Sequence, residues 1–213
     1  MQCEGLAWAE TLNHAHSLAQ ALVFTGLLLA LRGDWRELPA VAERAIELGQ
    51  RHGFPLMEGG GRFFLGAAQS FSGDTATGLT TLDAGARQWW ATGARNYRPF
   101  YEMLRASVHA RLGDLVAARH WIDAAKAGIA DTGERWLEPE LLRVEGELLR
   151  EVDGDALSES HLQHALTLAR SQRARAWERR AIQSIAARYR ERGEEFQPTQ
   201  AATLHYAAGP TSS

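Results

Sequence analysis

The chain has 213 residues, of which 45% are hydrophobic and 23% charged, and its formal net charge is −3. A chain of this size buries a full core without disulfides or metal, and the single cysteine, Cys3, excludes a disulfide within the chain. A nucleic-acid-binding groove normally carries a basic excess, so we expect no direct nucleic-acid partner.

The most apolar stretch lies near the N-terminus, between Leu18 and Leu31. It is shorter than the ~20 residues that a bilayer-spanning helix requires. No basic segment precedes it, as one would in a secretory signal peptide. We therefore predict a buried helix, a cytoplasmic protein and no membrane partner.

Glycines recur along the chain at a fixed interval of forty residues. Gly33, Gly73 and Gly113 each precede an aspartate, and a second glycine series (Gly53, Gly93, Gly133) falls midway between them. Glycine favours the residue after a helix C-terminus, and aspartate is a good N-cap for the next helix. The intervening segments are rich in Ala, Leu, Arg and Glu and poor in β-branched residues, which favours helix. The pattern predicts an all-α fold with one helical hairpin every forty residues.

This spacing divides the chain into a truncated start, a series of repeats and a terminal region. The predicted segments are 1–12, a partial second helix of a truncated repeat; the repeats 13–52, 53–92, 93–132, 133–172 and 173–197; and 198–213, a weak terminal helix with a disordered tail. Because the chain starts inside a repeat, we expect it to be a segment of a longer protein; an atypical N-terminal cap is the alternative.

Small residues occupy the same position in every repeat. In the first helices this column is Gly26, Gly66, Ala106, Gly146 and Ala186, and in the second helices it is Ala45, Gly85, Ala125 and Ala165. Small side chains let paired helices approach closely, so we place the helix contacts there. Apolar columns accompany them and predict the core stripe; they include Phe24, Phe64, Leu104 and Val144, and Leu28, Ala68, Val108 and Leu148.

Three consecutive glycines, Gly59 to Gly61, fall inside a predicted helix. Together they cost on the order of 2–3 kcal/mol relative to alanine. A local break in the helix and a close helix contact both explain them, and the sequence does not choose between the two.

We find no motif that indicates catalysis or a cofactor. The chain has no Walker A loop, and no nucleophile, base and oxyanion site are placed together. His14 with His16, and His161 with His164, could each supply two metal ligands, but two ligands do not make a site. We therefore expect no enzyme activity, no metal and no cofactor.

The helix pairs, each with a small residue inside its first helix, resemble a tetratricopeptide repeat with an unusually long unit of forty residues. The long form is similar to the superhelical region of the maltose-regulon activator family. The stretch from Thr132 to Leu149, together with Arg98 to Tyr101 and His14 to Asp34, resembles the C-terminal repeat region of bacterial signalling ATPases that also carry nucleotide-cyclase-like or DNA-binding domains. The resemblance implies a right-handed α-α superhelix of about four and a half hairpins.

In such arrays the first helices line the concave face, and the resemblance places the candidate binding residues there. They combine charge with apolar bulk, which suits an extended peptide or a partner helix. The ten candidates are Arg62, Phe63, Phe100, Tyr101, Glu102, Arg105, Trp136, Glu140, Arg143 and Glu147.

The function that we predict is a non-catalytic scaffold that holds a protein or peptide segment in the concave groove. One alternative is a sensor of a small, sugar-like inducer, which predicts a closed pocket lined by Trp136, Tyr101 and Arg105. The other is self-association, in which the truncated N-terminal edge pairs with a second copy in a homodimer.

Overall fold

The computed structural model describes residues 4–12 and 14–195. These residues form ten α-helices and one 3-10 turn, with no strand among them, so the fold is all-α. The helices are α1 (Glu4–Thr11), α2 (Ala15–Arg32), α3 (Leu38–His52), α4 (Pro55–Ser72), α5 (Thr75–Ala91), α6 (Arg98–Arg111), α7 (Leu115–Thr132), α8 (Glu138–Asp153), α9 (Asp155–Ser171) and α10 (Arg175–Glu191), and the 3-10 turn Arg135–Leu137 precedes α8.

The glycine turns lie where the sequence predicts them. Gly33, with φ of 75°, caps α2 in the left-handed region, and its N–H donates to the carbonyls of Ala30 and Leu29. Every glycine of both forty-residue series has a positive φ. Each full predicted repeat from 13 to 172 contains two α-helices. The predicted terminal helix and tail, 198–213, and Cys3 lie outside the described residues.

The contacts divide the chain into two compact units, Met1–Ala118 and Arg119–Ser213, here called unit 1 and unit 2. The boundary falls within α7.

In unit 1, the three glycines near the start of α4 make close contacts on three sides of an unbroken helix. A Cβ on Gly59 would lie 2.8 Å from the backbone nitrogen of Trp89 on α5. A Cβ on Gly60 would lie 2.9 Å from the Trp89 ring, and one on Gly61 would lie 2.8 Å from the Ala42 carbonyl of α3. The close-contact explanation of the glycine run is therefore confirmed.

The small-residue columns also lie at helix contacts. A Cβ on Gly66 would overlap the backbone of α5, at 2.5 Å from the Gly78 carbonyl and 2.7 Å from Leu82 Cα. In unit 2, a Cβ on Gly146 of α8 would lie 3.1 Å from His161 Cβ on α9. The predicted close approach is thus present in both units, and it is tighter in unit 1.

Both core columns are confirmed on α4 and α6; on α8 Val144 is buried and Leu148 is half-buried, and α2 departs from the prediction. Phe64, Leu104 and Val144 are buried, but Phe24 in the same column is 39% exposed, and Leu28 one turn later is 48% exposed. Phe64 packs between α2 and α6, whereas no first helix among the described residues precedes α2 to cover Phe24. The prediction that Phe24 and Leu28 belong to the core is therefore wrong.

The predicted apolar helix near the N-terminus is α2. Its buried residues include Ala19, Leu22 and Leu27, as a core helix requires. Within the described part of the chain, α2 is also the helix whose length and mean hydropathy would allow it to cross a membrane, a test that core helices of globular proteins also pass.

Candidate functional site

The ten candidate residues divide between the two units. Those in unit 1 are Arg62, Phe63, Phe100, Tyr101, Glu102 and Arg105, and those in unit 2 are Trp136, Glu140, Arg143 and Glu147.

The three aromatic candidates of unit 1 form its core. Phe63 and Phe100 are each 1% exposed and Tyr101 is 2% exposed. The rings of Phe63 and Tyr101 lie 4.1 Å apart between centroids, and that of Phe100 lies 6.0 Å from Tyr101. The expectation that Phe63 and Phe100 are free to contact a partner is wrong, because the neighbouring helices bury both side chains completely.

Two charged candidates on α6 are held in ion pairs within unit 1. The buried carboxylate of Glu102 accepts a hydrogen bond from Arg98 Nε at 2.7 Å. Arg105 lies 2.8 Å from the carboxylate of Asp83 on α5. Burial lowers the pKa of Arg105, and the charges of Asp83 and Glu102 oppose that effect. Arg98 and Arg105 each lie 6.0 Å from the Trp90 ring, so the pairs lie beside an aromatic surface.

Arg62 is the partly exposed candidate of unit 1. Its guanidinium donates to Glu58 Oε1 at 2.7 Å, and Gln50 and Gln88 also donate to the Glu58 carboxylate. Burial acts to raise the pKa of Glu58, but the hydrogen bonds from Arg62, Gln88 and Gln50 outweigh it, and the pKa lies below its ordinary value. The group is a structural link between α3, α4 and α5.

Beside the aromatic core, unit 1 contains a small pocket, which we call the α2–α6 pocket. Its volume is about 60 Å³. It is lined by residues of α2, α4, α5, α6 and the loop before α6: Gln20, Val23, Phe24, Leu27, Leu56, Met57, Phe64, Trp89, Asn96, Tyr97 and Tyr101. Of the candidates predicted from the sequence, Tyr101 alone lines it. Arg105 does not, and Trp136 lies in unit 2.

The mouth of this pocket is formed by an exposed phenylalanine and a residue with an unusual backbone. Tyr97, just before α6, has a φ of 60°, a left-handed conformation that is costly for a bulky side chain. Its ring lies edge-on to Phe24, with 6.3 Å between centroids. Gln20 and Asn96 are exposed beside them. The forty-residue period gives no signal for this feature, because it aligns Tyr97 with Met57 and Leu137, which are both buried.

The α2–α6 pocket has no carboxylate, imidazole, ammonium, guanidinium or thiol among its lining residues. Its ionisable groups are two phenols. Burial, followed by the charge of the neighbouring Tyr97, raises the pKa of Tyr101 above its ordinary value, so its hydroxyl stays protonated. The arrangement suits the binding of an uncharged group and offers no general acid or base near neutral pH.

The four candidates of unit 2 lie at a network of charged groups between α8 and α10. The Glu140 carboxylate, 1% exposed, accepts from Arg143 at 2.8 Å and lies 2.9 Å from Arg180. Arg143 also donates to Glu147 and, at 3.2 Å, to Ser184. Burial acts to lower the pKa of Arg143, but Glu140 and Glu147 outweigh it and raise the pKa. We call these five side chains the Glu140 network.

Trp136 lies next to this network. The indole of Trp177 stacks on it, with 6.4 Å between centroids, and donates to the Trp136 carbonyl at 2.9 Å. The Arg180 guanidinium lies 5.8 Å from the Trp177 ring. The two Glu and two Arg charges of the Glu140 network balance, so it is a paired ionic cluster without excess charge for an ionic ligand.

Unit 2 also contains a wider cavity of about 250 Å³. Its lining mixes charged and apolar side chains: Lys126, Ile129, Arg135, Glu138, Leu141, Leu142, His164 and Leu168. His161, the other half of the histidine pair, lies 3.6 Å from Glu145 instead. Among the described residues, no three His, Cys, Asp or Glu side chains come together as a metal site would require.

No family model matches the chain. The chain is similar to the uncharacterized protein R02095 of Rhizobium meliloti (strain 1021), with 27% identity over 183 residues. The match covers 84% of this chain and 18% of the relative, so the chain spans about a fifth of that protein's length.

Proposed function

We propose that the chain is a non-catalytic scaffold that binds a protein or peptide segment. In this proposal its hairpins are long tetratricopeptide-like repeats that stack into a right-handed superhelix. They form the repeat region of a longer bacterial signalling ATPase or transcription regulator in the cytoplasm. The forty-residue recurrence of helix pairs supports the repeat assignment, and the similarity to a much longer relative agrees with a region of a larger protein.

The observation that carries the proposal is the α2–α6 pocket with the apolar surface beside it. The pocket is uncharged, and Phe24 at its mouth and Leu28 one turn further along α2 are both exposed. Covering such a surface with a partner stabilises the complex by roughly 25 cal/mol per Å² of apolar area that is buried. The charged groups nearest the aromatic core, Glu102 and Arg105, are already paired with other side chains of unit 1.

A display library of peptides, selected against the purified chain, tests the scaffold. We expect peptides that bind with a dissociation constant of about 10 µM, and about tenfold weaker binding to Phe24→Glu. Val116→Glu is the matched control, because Val116 is 85% exposed and does not line the pocket. Equal loss with both variants, or selection of no binding peptide, would contradict the proposal.

Sensing of a small ligand is the second candidate, and the unit 2 cavity favours it. Its volume of about 250 Å³ approaches the lower end of ligand-sized pockets, and Lys126, Arg135 and Glu138 supply polar contacts for a sugar-like compound. Calorimetric titration with maltose and maltotriose tests it. Binding that is lost in Leu141→Trp would favour the sensor over the scaffold.

Self-association is the third candidate, and it draws on α1. Trp8 is 70% exposed and Leu12, next to the end of that helix, is 57% exposed, so the N-terminal edge presents apolar surface. Sedimentation equilibrium of the chain and of Trp8→Glu tests it. A dimer that dissociates in the variant would support it, and a monomer at high concentration would exclude it.

A further inference from the structure

We propose that the α2–α6 pocket is the anchor site for one uncharged aliphatic side chain, of about leucine size, carried by the bound protein segment. The assignment rests on the proposed scaffold function and specifies the chemistry of its partner. Four observations support it: the volume of the pocket, its lack of charge, its aromatic walls and the apolar surface that continues outside it.

The volume limits what can enter. At about 60 Å³ the pocket is well below the 300–1,000 Å³ that enclose whole small-molecule ligands, and it is large enough for several water molecules. An occupant therefore places one small group inside and keeps the rest of its mass outside. A side chain projecting from a peptide meets this requirement, whereas a sugar unit does not.

The lining selects against charge. All eleven lining residues are uncharged at neutral pH, and the floor is made of buried apolar residues such as Met57, Phe64 and Trp89. A lysine or aspartate side chain in this position would lose its hydration without gaining an ion pair. A branched aliphatic side chain gives up no hydrogen bonds to water and packs against the ring faces.

The apolar surface continues beyond the pocket in one direction. Phe24 and Leu28 are four residues apart on α2, so their side chains lie on the same face of that helix. Phe24 borders the pocket, whereas Leu28 does not line it. A segment anchored in the pocket that follows α2 would therefore cover Leu28 with its next residues.

Two backbone positions lie next to side chains that line the pocket. Gly60 leaves room for both Trp89 and Val23, since a Cβ there would lie 2.9 Å from the Trp89 ring and 3.1 Å from Val23 Cγ1. Tyr97, whose backbone is left-handed, has its ring against Phe24, and both residues line the pocket. The glycine and the tyrosine are thus each next to lining side chains of the same pocket.

The first test uses N-acetyl-leucinamide as the probe and needs no partner protein. The indole N–H signal of Trp89, assigned through Trp89→Phe, reports on the pocket wall in an NMR titration. We expect a saturable shift with this probe and none with N-acetyl-lysinamide. A missing shift, or equal shifts with both probes, would overturn the anchor site.

Two variants make the test specific. Leu56→Trp fills the pocket from its half-buried wall, and Leu112→Trp, at an exposed position outside the pocket, is the matched control. We expect the shift to disappear in the first and to persist in the second. Gln20→Trp, at the exposed mouth, gives the same information if far-UV circular dichroism finds Leu56→Trp unfolded.

The peptides selected in the scaffold experiment separate the two proposals. We expect the replacement of one aliphatic residue of a peptide by alanine to weaken its binding about tenfold. We expect Leu56→Trp to weaken the binding of the unchanged peptide by the same factor. Peptides that bind Leu56→Trp as tightly as the wild type would overturn the anchor site and leave the scaffold intact. If no peptide is selected but the leucinamide shift is still present, the proposed scaffold function is overturned, and the preference of the pocket for an aliphatic group is supported.

Discussion

Units 1 and 2 use the same helical repeat to bury opposite kinds of side chain. Phe100 on α6 and Glu140 on α8 lie forty residues apart, at equivalent repeat positions, and each is 1% exposed. In unit 1 the position belongs to an aromatic core beside an uncharged pocket. In unit 2 the Glu140 carboxylate occupies this position and pairs with Arg143 and Arg180. At this repeat position the two units therefore agree in burial and differ in chemistry.

The units also differ in how closely the two helices of a hairpin approach. In unit 1, α4 and α5 meet backbone to backbone at Gly66 and Gly78. In unit 2, the nearest atoms facing Gly146 are His161 Cβ, the Ser158 carbonyl and a Leu162 methyl group, none closer than 3.1 Å. A small residue in the column is thus obligatory in one unit and merely favourable in the other.

The largest expected effect is the loss of stability in Gly66→Ala. The added methyl group would overlap the backbone of α5, which cannot rotate away, so we expect a loss of about 3 kcal/mol in the free energy of unfolding. Urea unfolding followed by far-UV circular dichroism measures it.

Gly146→Ala is the matched control for that prediction. Its crowding is mild and alanine gains about 1 kcal/mol of helix propensity, so we expect almost no net change. Equal destabilisation by the two variants would show that the two hairpins are packed equally tightly.

The second effect, of similar or slightly smaller size, concerns the Glu140 network. Glu140→Ala leaves Arg143 and Arg180 without their shared buried partner, and we expect it to cost about 3 kcal/mol. Glu147→Ala removes a carboxylate that is 45% exposed, and we expect a cost of about 0.5 kcal/mol. Urea unfolding of both variants tests the difference, and a larger loss for Glu147→Ala would place the centre of the network elsewhere.

The smallest effect is a pH dependence in unit 1. The pKa of Glu58 is lowered in the folded chain, so its stabilising contribution is present above the ordinary value of 4.5 and is lost as the pH falls through the lowered pKa. We expect Glu58→Gln to be less stable than the wild type at pH 7 and to approach it at lower pH. Thermal unfolding across this range measures the difference, and a constant gap between the two proteins would contradict it.

Much of the secondary structure could be predicted because it depends on local signals. The glycines that end α2, α3 and α4 take left-handed conformations that other residues adopt at a cost, so their spacing marks the helix ends directly. The small columns could be predicted for a similar reason, since a helix contact recurs at Gly66 and Gly146. The exposure of Phe24 could not, because it depends on the absence of a covering helix among the described residues rather than on the local pattern.

The candidate site was predicted least well. The sequence pattern of a helix does not show whether a given apolar or charged side chain faces a neighbouring helix or solvent. Phe63 and Phe100 share their helices with exposed residues, and only the packing of α4, α5 and α6 assigns them to the core. Glu140 and Arg143 could equally have lined a solvated face. Their burial follows from α10, which brings Arg180 to the same carboxylate.

The all-α class, the ends of the glycine-capped helices and the forty-residue period follow from the amino-acid sequence, because backbone preference and helix propensity act between neighbours along the chain. Three features became visible only in the packed structure: the close contacts of the glycine run in α4, the α2–α6 pocket and the Glu140 network. The glycine run and the pocket each depend on residues from three or more helices, and the Glu140 network depends on residues from two, so all three arise only when the helices pack.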